Sequence, residues 1–125
     1  MVSSKIEFII YTALLKSGLK FKYEEPLQLE KLHYKIHPDF TIYLRNGEKL
    51  FWEHLGMLDT RKYYNDWQDR RKSYKEHELE DVLITTDDLN GVKHEKITEL
   101  IENIKEIELK VTKGNKFSNH HYELY

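Results

Sequence analysis

Apolar residues recur along this chain with two periods, one helical and one of strict alternation, and the changes between them mark out the elements. From Ser4 to Lys16 the apolar positions are Ile6, Ile9, Ile10, Ala13 and Leu14, a helical spacing closed by Gly18. Ser4-Lys5-Ile6-Glu7 has the form of a capping box, with Glu7 reaching back to the Ser4 amide. Leu19 to Glu24 then alternates Phe21 and Tyr23 with Lys20, Lys22 and Glu24, the pattern of a half-buried strand, and Pro26 breaks it. Leu27 to Leu32 reads as a second short extended segment, and Lys31 to Lys35 as a loop. Two apolar-rich runs, Phe40 to Leu44 and Leu50 to His54, flank Asn46-Gly47, a pair whose residues both tolerate positive φ, which predicts a hairpin. A helix is expected over Thr60 to His77, where Tyr63, Trp67, Arg70 and Tyr74 share one stripe and Lys72 points away. Val82 to Thr86 reads as a buried strand parallel to the Leu50 strand through a right-handed crossover. Ile97, Leu100, Ile101, Ile104 and Ile107 predict a last helix with a wet outer face.

The order helix, strand, hairpin, helix, strand, helix predicts an α/β fold with a small mixed sheet flanked by helices. At 125 residues the chain suffices for one domain, expected over residues 1–110, with residues 111–125 as a polar tail or edge segment carrying His120-His121. The sequence contains no cysteine, which excludes disulfides, thiolate metal sites and a cysteine nucleophile and fits a cytoplasmic protein. Net charge is −2, so a nucleic-acid partner has to be attracted by a local patch and not by a global field. The longest apolar run, Phe8 to Tyr11, is too short to span a bilayer, and no signal-peptide pattern is present, so no membrane association is expected. Zinc-type histidine spacing and a glycine-rich phosphate loop are both missing, which argues against a zinc centre and a nucleotide-driven motor within this chain.

Candidate chemistry centres on the hairpin. Asp39 enters its first strand and Glu53 leaves its second, so closing the turn brings two acids to one end of a sheet. Hard divalent cations such as Mg²⁺ are held by one or two carboxylates together with substrate phosphate, where they polarise the phosphoryl group and acidify water. Phosphodiester hydrolysis is the chemistry such a pair suits. Period-two geometry sets Phe51, Glu53 and Leu55 on one face of the second strand and Leu50, Trp52 and His54 on the other.

Pro38-Asp39-Phe40-Thr41-Ile42, then Phe51-Trp52-Glu53-His54-Leu55-Gly56-Met57-Leu58-Asp59, then Tyr63, Trp67 and Tyr74, together resemble the PD-(D/E)XK nuclease superfamily. The resemblance runs from about Ser4 to Gly91 and is closest to nuclease-like domains attached to some bacterial superfamily 1 DNA helicases. It implies a restriction-endonuclease-like αβββαβ core and a Mg²⁺- or Mn²⁺-dependent deoxyribonuclease. It also implies metal ligation by Asp39, Glu53 and the His54 carbonyl, with Glu7 as a candidate third acid beside its capping role. One position departs from the family pattern, since the lysine expected two residues after the second acid is Leu55.

A cation for the phosphate is available on the next helix. Arg70 lies in the middle of the aromatic stripe, either snorkelling its head to water or standing in for a lysine that some relatives carry there. As a permanent cation it stabilises a pentavalent phosphate but cannot act as a base. Arg61, Lys62, Arg71, Lys72 and Lys75 on the same helix offer backbone contacts to DNA or simply a solvated face. Two functions therefore stand at this point: a metal-dependent DNA nuclease working beside a helicase or other motor or as a homodimer, and a nuclease-fold module that binds DNA or a protein without turnover.

Overall fold

The computed structural model describes residues 5–88 and 94–111. Their order is α1 (Lys5–Ser17), β1 (Lys20–Tyr23), β2 (Phe40–Tyr43), β3 (Lys49–Leu55), α2 (Arg61–Glu76), a short 3₁₀ turn (Glu80–Val82), β4 (Leu83–Asp87) and α3 (His94–Lys110). The strands form one mixed sheet in the order β1-β2-β3-β4, antiparallel across the first two pairings and parallel across the third.

Register assigns the side chains to faces. Phe21, Tyr23, Phe40, Ile42, Trp52 and Ile84 share one face, where Tyr11 of α1 meets Phe21 and Tyr23 edge-on at centroid distances of 5.4 and 6.2 Å. α1 packs on α3, whose Ile97, Leu100, Ile101, Ile104 and Ile107 are all buried, as the helical spacing predicts. The opposite face carries Thr41, Phe51, Glu53 and Leu55, and α2 covers it with Trp67 and Tyr74; the Phe51 and Tyr74 rings lie 6.2 Å apart. Each buried aliphatic or aromatic side chain contributes about 1.5–3 kcal/mol to this core.

Local details differ from the sequence expectations in three places. The hairpin loop is Arg45-Asn46-Gly47 with Leu44 paired to Glu48, and only Gly47 has positive φ (93°). This is a three-residue turn with a bulge at glycine, so a single left-handed residue suffices where a two-residue turn would need two. Asn46 supports it by accepting from the Glu48 amide at 3.0 Å. Second, β4 closes one edge of the sheet, and of its five residues only Ile84 is fully buried. Third, the Leu27 to Leu32 segment is a turn-rich excursion, joined to Ile36 by one antiparallel bridge at Leu27, with Leu29 and Ile36 buried.

Val111 is fully buried, and Arg45 fixes it from the hairpin: its Nε donates to the Val111 carbonyl at 2.7 Å and its Nη2 to the Leu109 carbonyl. The arginine thus caps the carboxyl end of α3 and locks the hairpin to it. The capping residue Ser4, and residues 112–125 with His120-His121, lie outside the described residues. No helix among the described residues is long and apolar enough to cross a membrane.

Candidate functional site

Three strands deliver a row of carboxylates to one end of the sheet. The register pairing Tyr23 with Phe40 sets Glu24 opposite Asp39, and the register pairing Phe40 with Trp52 sets Asp39 opposite Glu53. Directly opposed residues in antiparallel strands have Cα atoms about 4.5–5.5 Å apart, so the three acids are neighbours by construction. The Glu24 amide donates to the Asp39 carbonyl at 3.0 Å, which extends the ladder to this pair. Glu24 itself has φ 52°, a left-handed conformation that costs a non-glycine residue about 1–2 kcal/mol. That kink turns the chain off β1 while keeping the carboxylate beside Asp39. α1 contributes the fourth acid, Glu7, whose Oε1 accepts from the Tyr23 hydroxyl at 2.9 Å.

One carboxylate oxygen from each of Glu7, Glu24 and Asp39 lies within 4.8 Å of the other two. Glu7 is buried, Asp39 half-buried and Glu24 exposed, so the cluster runs from the interior to solvent. Oxygen-only donors of this kind suit Mg²⁺, Mn²⁺ or Ca²⁺ and not a soft metal. Electrostatics make the same point. Burial pushes the Asp39 carboxyl up to about 7, against the His54 backbone N–H that donates to its Oδ2 at 2.7 Å. The charges on Glu7 and Glu53 raise it further, and Arg70 opposes them. A cation among these oxygens would offset both the burial and the neighbouring charges that disfavour the ionised form of Asp39.

Glu53 is adjacent but differently placed. It is 4 % exposed, and both of its oxygens are engaged: Oε2 accepts from the Tyr74 hydroxyl at 2.8 Å, while Arg70 lies 3.3 Å from Oε1 through Nε and Nη2. Burial and the charge on Glu53 push the Tyr74 hydroxyl far above the ordinary tyrosine range. Burial disfavours the Arg70 charge, yet Glu53 and Tyr63 more than compensate, and the guanidinium carbon sits 5.2 Å from the centre of the Trp67 ring. Arg70 is therefore not a snorkelling residue; it is turned inward to the acids. Tyr63 beside it has its hydroxyl raised by burial, partly offset by Arg70.

His54 joins the site through its backbone, its amide holding Asp39. Its buried ring lies on the other face of the sheet, in a chain of polar contacts that runs out to the exposed Asp88. Nδ1 is 2.8 Å from Thr86 Oγ1, Nε2 is 2.9 Å from Asp88 Oδ1, and Trp52 Nε1 donates to the same Thr86 oxygen at 3.1 Å. Gly56 lies next to this chain, and a Cβ there would lie 3.2 Å from Asp88 Oδ2, close enough that the Asp88 side chain would have to shift by a few tenths of an ångström. Leu55 faces the Glu53 side and is buried, so the cation beside Glu53 comes from Arg70 on α2.

The structure thus gathers Asp39, Glu53, Glu7 and Arg70 at one end of the sheet, with His54 fixing Asp39. Glu24 was missed, although a signal for it exists: aligning β1 antiparallel to β2 leaves it opposite Asp39. No family model, curated protein or solved structure matches the chain.

Proposed function

We propose that this chain is a Mg²⁺- or Mn²⁺-dependent nuclease of the PD-(D/E)XK kind, with a restriction-endonuclease-like core, that hydrolyses DNA phosphodiester bonds. The observation that carries the reading is the cross-strand row Glu24, Asp39, Glu53, met by Glu7 from α1 and faced by one inward-turned guanidinium. Glu7, Glu24 and Asp39 would hold the cation, with the His54 carbonyl as a further oxygen donor. A bound divalent ion supplies Lewis-acid polarisation of a phosphoryl oxygen and lowers the pKa of water. A cation held there would favour the ionised form of Asp39. Glu53 holds Arg70 in place, and Arg70 offsets the negative charge that builds on the phosphate during attack. Because the guanidinium never deprotonates, it cannot serve as the base that a lysine in the Leu55 position could supply.

The engagement of Glu53 by Arg70 and Tyr74 also favours a second reading, a module that binds DNA or a partner protein without turnover. Plasmid nicking in Mg²⁺ or Mn²⁺, against an EDTA control, separates the two. The nuclease reading expects cleavage by the wild type and none by Asp39→Asn; robust cleavage excludes the binding-only reading. Absence of cleavage by the wild type in either metal, or its persistence in Asp39→Asn, overturns the assignment of these acids. A companion motor or a second copy of the chain would then be sought by adding helicase or by sizing the protein on DNA.

A further inference from the structure

The end of the sheet opposite the acids carries the reverse charge. The registers that align Glu24, Asp39 and Glu53 also align Lys20, Tyr43 and Lys49 across the same three strands, four residues away on β2. Four strand residues span roughly 13 Å, and an even offset keeps Asp39 and Tyr43 on one face. The Tyr43 ring is surrounded by three ammonium groups, those of Lys49, Lys20 and Lys22, at 5.3, 5.6 and 5.9 Å from its centre. Only Lys22 has a carboxylate partner, Glu25 at 3.2 Å, and Glu25 also accepts from the Tyr43 hydroxyl. Among the described residues neither Lys20 nor Lys49 forms an ion pair, and all three lysines are exposed. Three like charges are thus gathered around one ring. Glu25 directly follows Glu24, so this patch is continuous with the acid cluster along the chain.

We infer that Lys20, Lys22 and Lys49, ordered around Tyr43, bind the sugar–phosphate backbone of a nucleic acid and lead it to the acid row. The charge pattern fits: along the edge strand β1 the exposed side chains run Lys20, Lys22, Glu24, so a polyanion held by the lysines and following this edge meets the carboxylates at its end, where only a bound divalent ion makes a phosphate welcome. The basic run on the outer side of α2, around Arg71, Lys72 and Lys75, is then a solvated face. This inference rests on the nuclease reading for its direction toward the acids, but nucleic-acid binding itself needs neither metal nor turnover.

The test is therefore run in EDTA. Fluorescence anisotropy of a labelled thymidine oligonucleotide, single-stranded or annealed to its complement, is followed over a range of salt concentrations. Wild type should bind with a log K that falls linearly with log salt. The triple variant Lys20→Gln/Lys22→Gln/Lys49→Gln should lose on the order of 10–100-fold in affinity and about 2 in slope for a single strand, at about 0.7 per phosphate contact. The matched variant Arg71→Gln/Lys72→Gln/Lys75→Gln should bind as wild type does. Lysine acetylation footprinting of the unmutated protein gives a second measurement that does not depend on folding of a variant. Protection of Lys20, Lys22 and Lys49 by the oligonucleotide is the expected result. Undiminished binding by the first triple variant, loss confined to the α2 variant, or no protection of these lysines overturns the inference. A wild type that binds in EDTA but never cleaves refutes the nuclease reading and leaves this surface standing.

Discussion

Replacing Asp39 by asparagine should stabilise the metal-free protein at neutral and alkaline pH. Asp39 titrates near 3.8 in the unfolded chain and at about 7 in the fold, because its charged form is buried beside Glu7 and Glu53. With the folded value above the unfolded one, the native state holds a proton that the unfolded state has released. Stability contributed by this group is therefore complete below about pH 4, falls as pH rises, and is lost above about pH 7. The interval is about 3 units, and at about 1.4 kcal/mol per unit the loss is at most roughly 4 kcal/mol. Asparagine can still accept the His54 N–H through its side-chain oxygen but carries no charge to bury. Thermal melts of wild type and Asp39→Asn in EDTA, taken from about pH 4 to pH 8, isolate the group as the difference between the two curves. The difference should be near zero at the acid end and should favour the variant at pH 8 by as much as about 12–24 °C, at about 3–6 °C per kcal/mol for a chain of this size. Saturating Mn²⁺ should close the gap by raising only the wild type, by about 2.7 kcal/mol at a hundredfold and about 4.1 kcal/mol at a thousandfold excess over Kd. A variant that melts below wild type at pH 8 in EDTA, or an equal Mn²⁺ shift in both proteins, refutes the electrostatic account of the site.

Glu53→Gln should behave in the opposite way, because this carboxylate is the counter-charge of Arg70 and the acceptor of the Tyr74 hydroxyl; a loss of about 2–4 kcal/mol in urea unfolding is expected, and a neutral result would show that the pair contributes nothing. Arg45→Ala removes both side-chain bonds to the end of α3 and should cost about 1–2 kcal/mol, with amide exchange of the last turn of α3 rising ahead of global unfolding. Protection of that turn unchanged in Arg45→Ala would place its anchorage elsewhere.

The parts of the fold set by periodicity were open to reading in the sequence, and those set by register were not. Ile97, Leu100, Ile101, Ile104 and Ile107 announce the buried face of α3 because a helix has one repeat and no partner to choose. Phe40 to Leu44 and Leu50 to Leu55 announce β2 and β3 because Asn46-Gly47 joins them, although the loop uses only one left-handed residue. β1 is different. Its alternation shows a strand but not its partner, and only the pairing of Lys20 with Tyr43 reveals that Glu24 belongs with Asp39 and that three lysines converge on one tyrosine. The direction of Arg70 was equally hidden: the stripe of Tyr63, Trp67 and Tyr74 allows an arginine that either escapes to water or turns inward, and the buried charge of Glu53 decides between them.

That decision bears on how the chemistry would run without a lysine beside Glu53. A lysine at position 55 would share Glu53's face of β3 and could exchange a proton, whereas Arg70 approaches from α2, is stacked near Trp67, and is held by two hydrogen-bonding groups, Glu53 and Tyr63. Its charge is fixed and its position is set by a helix packed over the strand, so it is suited to holding a phosphate and not to moving a proton. Proton transfer from the attacking water would then fall to solvent or to the carboxylates, and Asp39, raised to about 7 by burial, would be occupied when a cation is bound. An enzyme built this way should depend more steeply on the acidity of the bound cation than one with a lysine, so Mn²⁺ should support faster cleavage than Mg²⁺ and the rate should keep rising with pH above about 7. Equal rates in the two metals with a pH-independent plateau would mean that a base not identified among these residues takes the proton.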